Sequence, residues 1–264
     1  MNIPFYQVDA FTAKPFRGNP AAVCIVDDTV TAELMQQIAA ENNLSETAFV
    51  TPKDGQFNLR WFTPVVEVPL CGHATLATAH TLFREGLASA ADTITFNTAS
   101  GVLTARQQDS WIELNFPALK GKPVQLPEEI LDILQANPVQ TIEVDNRYLL
   151  ELATEAEVLA LKPDFSRLAK YPKVIVTAKA SSTSEFDFIS RFFAPVIGIN
   201  EDPVTGAAHC CLAPYWAQKL GKTSMLAYQA SARGGVLKIK LEGDRTILAG
   251  EAVTVIKGTY AINQ

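Results

Sequence analysis

"RWFTPVVEVPLCGHAT" (residues 60–75) reads alongside a second passage, "RFFAPVIGINEDPVTGAAH" (residues 191–209), because the two are built in the same order. Each starts as an Arg-aromatic-Phe strand, passes a Pro-Val turn and reaches a glycine that opens a small-residue, apolar helix. Arg60 and Arg191 lie 131 positions apart. Further on, "ASGVLTA" (residues 99–105) resembles "ARGGVLKI" (residues 232–239), with Gly101 and Gly235 separated by 134 positions. Both offsets are close to half of the 264-residue chain. Two matches at nearly one offset imply an internal duplication.

Working outward, each half reads as a strand-rich layer around one buried helix. In the first half "FYQVDAF", "AAVCIV", "ETAFVTP", "FNLRWFTP", "TITFNTASGVLTAR" and "SWIELNF" read as strands. "TAELMQQIAAENN" reads as an amphipathic helix with Thr31 as N-cap and Leu34, Ile38 and Ala39 on one face. "GHATLATAHTLFREG" is small or apolar on nearly every face, the pattern of a helix buried all round, and ends at Gly86. The second half repeats the plan with the strands "TIEVDNRYLLELAT", "KVIVTA", "FDFISRFFAPV", "GGVLKIKLEG" and "LAGEAVTVIKG". Its short helix is "DFSRLAKY" and its buried helix is "TGAAHCCLAPYWAQKLG", where Pro214 predicts a bend or break near Ala213. The Lys- and Pro-rich "LKGKPVQLPEEI" (residues 119–130) reads as the linker. The expected domains are 1–118 and 119–264, with the last strand free to return to the first half.

Composition narrows the function classes. With 48% hydrophobic and 19% charged residues, the chain has the balance of a soluble globular protein. A formal net charge of −6 without a basic face argues against nucleic acid as a partner. No secretory signal is visible in "MNIPFYQVDAF", and runs such as "PAAVCIV" are too short to span a bilayer. Cys24, Cys71, Cys210 and Cys211 make no disulfide framework in a chain this long, so a cytoplasmic setting is expected. His73, His80 and His209 show no zinc-like spacing with Cys, and no metal is expected.

The chemistry gathers at the two helix starts, Cys71-Gly72-His73 and Thr205-Gly206-Ala207. A helix N-terminus presents free N–H groups and the positive end of the dipole, a place for a carboxylate. Equally, Cys71 and Thr205 read as plain capping residues. Alone, Glu46 in "NNLSETAFV" is a turn carboxylate, His73 a capping or surface residue, and Asp202 a turn residue before Pro203.

The set is more telling than its members. "VDAFTAKPFRGNPAAV", "NNLSETAFV", "RWFTPVVEVPLCGHATLATAH" and "EDPVTGAAH" resemble, in order and over almost the whole chain, the PhzF-like family, named for an isomerase of phenazine biosynthesis. The resemblance implies an α+β fold shared with diaminopimelate epimerase. In it, two pseudo-symmetric domains each wrap a barrel-like, mostly antiparallel sheet around a central helix, with the active site in the groove between them. It implies a cofactor-independent isomerase acting on a small carboxylate-bearing molecule, and a homodimer. Glu46 matches the proton-shuttling carboxylate, and His73 and Asp202 match the polar groups that assist it. Ser45, Gly72, Gly206 and Ala207, with Cys71 and Thr205 at the helix starts, fall where the family binds substrate.

Two other readings remain open at this point. A two-base racemase or epimerase needs one thiol from each half, but Thr205 stands opposite Cys71, and a hydroxyl is a poor base. A binding or regulatory protein that kept the groove without turnover is the other, since fold does not fix function.

Overall fold

The computed structural model describes residues 1–262, which fall into two compact units. The first comprises Met1–Phe116 and the described residues from Leu248 to Ile262; the second is Pro117–Ile247. The first unit begins with β1 (Asn2–Ala10), β2 (Asn19–Ile25), α1 (Ala32–Asn42), β3 (Thr47–Lys53) and β4 (Gln56–Phe62). It continues with β5 (Glu67–Val68), α2 (Gly72–Arg84), β6 (Thr93–Thr98), β7 (Gly101–Gln108) and β8 (Trp111–Pro117). In the second come β9 (Lys122–Pro123), α3 (Glu128–Leu134), β10 (Gln140–Val144), β11 (Arg147–Glu151), α4 (Glu155–Ala160) and α5 (Phe165–Leu168). After these are β12 (Lys173–Lys179), β13 (Phe188–Ala194), β14 (Ile199–Glu201), α6 (Gly206–Leu220), β15 (Ser224–Gln229), β16 (Gly235–Glu242) and β17 (Arg245–Gly250), whose last three residues belong to the first unit. The final strand, β18 (Ala252–Ala261), runs antiparallel to β1 as part of the first unit.

Strand pairing repeats between the units. In the first, β2 and β3 are parallel, β3 and β4 antiparallel, β4 and β6 parallel, β6 and β7 antiparallel. In the second, β11 and β12 are parallel, β12 and β13 antiparallel, β13 and β15 parallel, β15 and β16 antiparallel. The repeated sequence now has a physical reason. Arg60 forms a two-pronged ion pair with Glu67 at 2.7 Å through each nitrogen, and its guanidinium lies 5.1 Å from the centre of the Phe62 ring. Arg191 does the same with Glu201 at 2.8 and 2.9 Å, and lies 5.0 Å from the centre of the Phe193 ring. In both copies a planar guanidinium joins the strand to the turn leading toward the central helix.

The central helices are buried as their composition predicts. α2 lies against β1, β2, β3, β7 and β18, and hides Ala74, Leu76, Ala77, Ala79 and Leu82. Its three buried threonines need partners, and each hydroxyl finds one inside the helix. Thr75, Thr78 and Thr81 donate to the carbonyls of Cys71, Ala74 and Ala77 at 2.5, 2.7 and 2.9 Å.

Several local expectations need correction. Pro214 does not break α6, which runs from Gly206 to Leu220. Proline removes the N–H that would reach the Cys210 carbonyl, but the Leu119 N–H donates to that carbonyl instead at 2.9 Å. The supposed linker is ordered: β9 pairs with β10, and α3 begins at Glu128. Gly121 is required there, because a Cβ would come within 2.5 Å of the Glu143 carbonyl oxygen. "TITFNTASGVLTAR" is a hairpin, turned at Gly101 with φ +96°, not one strand. In α1, Thr31 caps by accepting from the Leu34 N–H, but the buried face is Met35, Ile38 and Ala39, with Leu34 only half-buried. Among the described residues, no helix is long and apolar enough to cross a membrane.

Candidate active site

Glu46 stands immediately before β3, where the Ala22 N–H of the parallel neighbour β2 donates to its carbonyl at 3.3 Å. That bond fixes the backbone from which the side chain projects. His73 is the second residue of α2 and is fully in the protein interior. Its Nε2 lies 3.3 Å from Glu46 Oε2, with only 15% of the Glu46 side chain exposed. Its other ring nitrogen, Nδ1, lies 3.5 Å from Cys71 Sγ. Thiol, imidazole and carboxylate therefore meet, one ligand atom of each lying within 4.8 Å of the others. Half-buried Ser45 and Gly72 adjoin two of them in sequence. The linear spacing of Cys and His gives no sign of this meeting, because Glu46 is supplied by a separate element.

Cys71 occupies the N-cap position of α2, yet its side chain makes no capping hydrogen bond. The same is true of Thr205 at the start of α6. The plain capping reading fails at both positions. Thr205 instead donates its hydroxyl to Asp202 Oδ2 at 2.5 Å, and its N–H donates to Gln229 Oε1 at 2.8 Å. The Gln229 amide in turn donates to the Asp202 carbonyl at 2.8 Å and to Thr205 Oγ1 at 3.2 Å. Gln229 is fully buried and clamps the turn from Asp202 to Thr205, a role its sequence context does not announce. Gly206 is buried and Ala207 half-buried beyond that turn.

Burial dictates the charge state of the histidines. His73 is pushed down to about 3 by loss of hydration, so its ring is neutral at physiological pH and carries one N–H. His209 is lowered to about 4 by the same cause, partly opposed by the Thr205 carbonyl, which its Nδ1 meets at 2.8 Å. Cys211 is pushed up to about 12 by burial, and Cys210 is raised for the same first reason. Neither thiol is a usable base.

The histidines predict acid sensitivity. Above pH of about 6.5 both folded and unfolded chains hold these rings neutral. Below it the unfolded chain takes up protons that the folded chain refuses, so stability falls as pH falls toward 4. Each buried ring contributes a slope of roughly 1.4 kcal/mol per pH unit in that window. Urea unfolding of His209→Gln between pH 6.5 and 5 should show a slope shallower by about that amount. An unchanged slope would mean that His209 titrates normally in the folded state.

A family model described as "Phenazine biosynthesis-like protein", PhzC-PhzF, matches residues 8–258. The chain belongs to the PhzC-PhzF family. Within it, the chain is 52% identical over 260 residues to a protein of Halalkalibacterium halodurans named as an uncharacterized isomerase, covering 97% of this chain and 98% of that one. A crystal structure of a PhzF-family protein from Enterococcus faecalis superposes with a TM-score of 0.94 at 40% identity, covering 99% of this chain and 100% of that one. A predicted epimerase from Pseudomonas aeruginosa, at 19% identity, covers 99% of this chain and 100% of its own with a TM-score of 0.75. That likeness shows the fold alone, and it agrees with the α+β, diaminopimelate epimerase-like fold that the family resemblance implies.

Proposed function

We propose that this isomerase works without a cofactor, by moving a proton on a small carboxylate-bearing substrate, with Glu46 as the group that removes the proton and returns it. The observation that carries this reading is the largely buried Glu46 carboxylate held 3.3 Å from the neutral His73 ring. A carboxylate withdrawn from water is a better base than one in solution, and one group suffices when a proton leaves one carbon and arrives at another. The His73 ring, being neutral, acts as a hydrogen-bond donor to charge that develops on the substrate rather than as a cation. The free N–H groups of a helix start favour the substrate carboxylate, and Ser45, Gly72, Gly206 and Ala207 are assigned to binding. Asp202, fixed by Thr205 and Gln229, is assigned to hold a polar group of the same substrate.

The two-thiol reading is disfavoured by specific groups. Thr205 has its hydroxyl engaged by Asp202, and the nearby thiols of Cys210 and Cys211 are buried with raised pKa. Cys71 is therefore assigned to binding, where a lost contact costs about 1 kcal/mol. Cys71→Ser should slow turnover by roughly five- to tenfold, whereas loss of a proton-transferring base costs about 10²- to 10⁴-fold. Steady-state kinetics on an accepted carboxylate substrate checks this. A loss in Cys71→Ser as large as that in Glu46→Gln would transfer the base role to the thiol. A family of tight ligands with no turnover at all would favour the binding-protein reading.

A further inference from the structure

We propose that Glu46, Cys71 and His73 also form a binding site for one thiophilic divalent cation of the zinc class, and that the bound cation blocks the proton transfer. Binding stands on geometry alone; the blocking rests on the function proposed above. One carboxylate oxygen, one thiol sulfur and one ring nitrogen lie within 4.8 Å of one another. The 3.5 Å between Cys71 Sγ and His73 Nδ1 matches the separation of about 3.5 Å expected for sulfur and nitrogen on tetrahedral zinc. A cation takes one nitrogen of the ring, and Nδ1 is the one beside the sulfur. Glu46 faces the opposite nitrogen, and its longer, partly exposed side chain has to turn to complete the set. Three protein donors then leave the fourth position to water, the arrangement of an open zinc site.

The charges balance. The Cys71 thiol releases its proton to the buffer, and thiolate and carboxylate together neutralise the dication, while His73 contributes a neutral lone pair. A thiolate donor favours zinc over magnesium or calcium. With one oxygen on the cation, the Glu46 carboxylate shares its negative charge with the dication and becomes a much weaker base, and the cation occupies the space beside it that a substrate proton would have to reach. Glu46 thus either moves the proton or holds the cation.

The test uses the full chain after chelator treatment. Titration with Co²⁺ should give one equivalent of bound ion, tetrahedral visible bands and a thiolate-to-cobalt charge-transfer band, and Zn²⁺ should abolish all of these. Cys71→Ser should lose the charge-transfer band and bind Zn²⁺ at least about 100-fold more weakly, since even outer partners of a zinc site are worth about 10- to 100-fold. His73→Gln should weaken Zn²⁺ comparably, with circular dichroism confirming that each variant is folded. Cys211→Ser should keep the band, because that thiol is not in the cluster. No Zn²⁺ binding at micromolar concentration, or a band that survives in Cys71→Ser, overturns the site. Full turnover with Zn²⁺ saturated overturns the blocking but not the site. An active Glu46→Gln overturns the proposed function and leaves the cation site standing.

Discussion

Glu46→Gln is expected to lower turnover by about 10²- to 10⁴-fold, the range that a positioned acid–base group supplies. Gln matches Glu in size, and the Ala22 N–H bond to the residue 46 carbonyl belongs to the backbone, so the start of β3 should stay in place. What disappears is the ability to accept a proton. Binding of substrate should change by much less than turnover, because the proposed contacts to the carboxylate come from other residues. Such a pattern, turnover lost with binding retained, marks a group whose interaction matters in the transition state. Calorimetry for binding and a continuous assay for turnover separate the two. Near-normal turnover in a folded Glu46→Gln would remove the residue from the chemistry.

The second large effect is on stability. Trp216→Ala should destabilise the protein by about 3–5 kcal/mol, the usual cost of truncating a buried Trp. Trp216 is 1% exposed and stacks on Phe188 with ring centres 5.5 Å apart and planes 11° from parallel. Tyr215 meets it edge-on at 5.5 Å. Its indole N–H donates to Thr177 Oγ1 at 3.0 Å, and that hydroxyl donates onward to the Ile189 carbonyl at 2.6 Å. Alanine therefore leaves both a cavity and an unmet acceptor beside the central helix of the second unit. Trp216→Phe keeps most of the packing and gives up the hydrogen bond, so it should cost about 1–2 kcal/mol. Urea denaturation checks the order. If Trp216→Ala cost less than about 1 kcal/mol, the helix would not be anchored at this point.

Much of the fold is legible in the sequence because the duplication writes it twice. The small, apolar helices around Leu76 and Leu212 could only be buried, and the strand Gln56–Phe62 in the first unit alternates along most of its length as a half-buried strand does, whereas Phe188–Ala194 in the second is buried at nearly every position. The misses have physical causes. Pro214 looks like a helix breaker to any local rule, and its remedy, the Leu119 N–H, comes from 95 positions away. Gly101 turns a hairpin inside a run that alternates smoothly on either side. The repeated Arg and Phe were visible as a pattern, but their partners Glu67 and Glu201 sit at different distances along the chain, seven and ten positions on.

The site was legible mainly through resemblance to a known family. No periodicity places Glu46 beside His73, since one precedes β3 and the other begins α2. Nor does any local pattern reveal Gln229, whose fully buried amide reaches back to Asp202 and Thr205. Side chains such as these act at a distance in sequence, and only the fold brings them to their partners.

Solvent-deuterium exchange into a bound carboxylate tests the central claim most directly. Cyclic and amino-acid-like carboxylates that raise the melting temperature are incubated in deuterated water, and label at carbon is followed by NMR. The account predicts exchange with wild-type protein, slower but persistent exchange with Cys71→Ser, and none with Glu46→Gln at equal occupancy. Exchange in Glu46→Gln at the wild-type rate would contradict it.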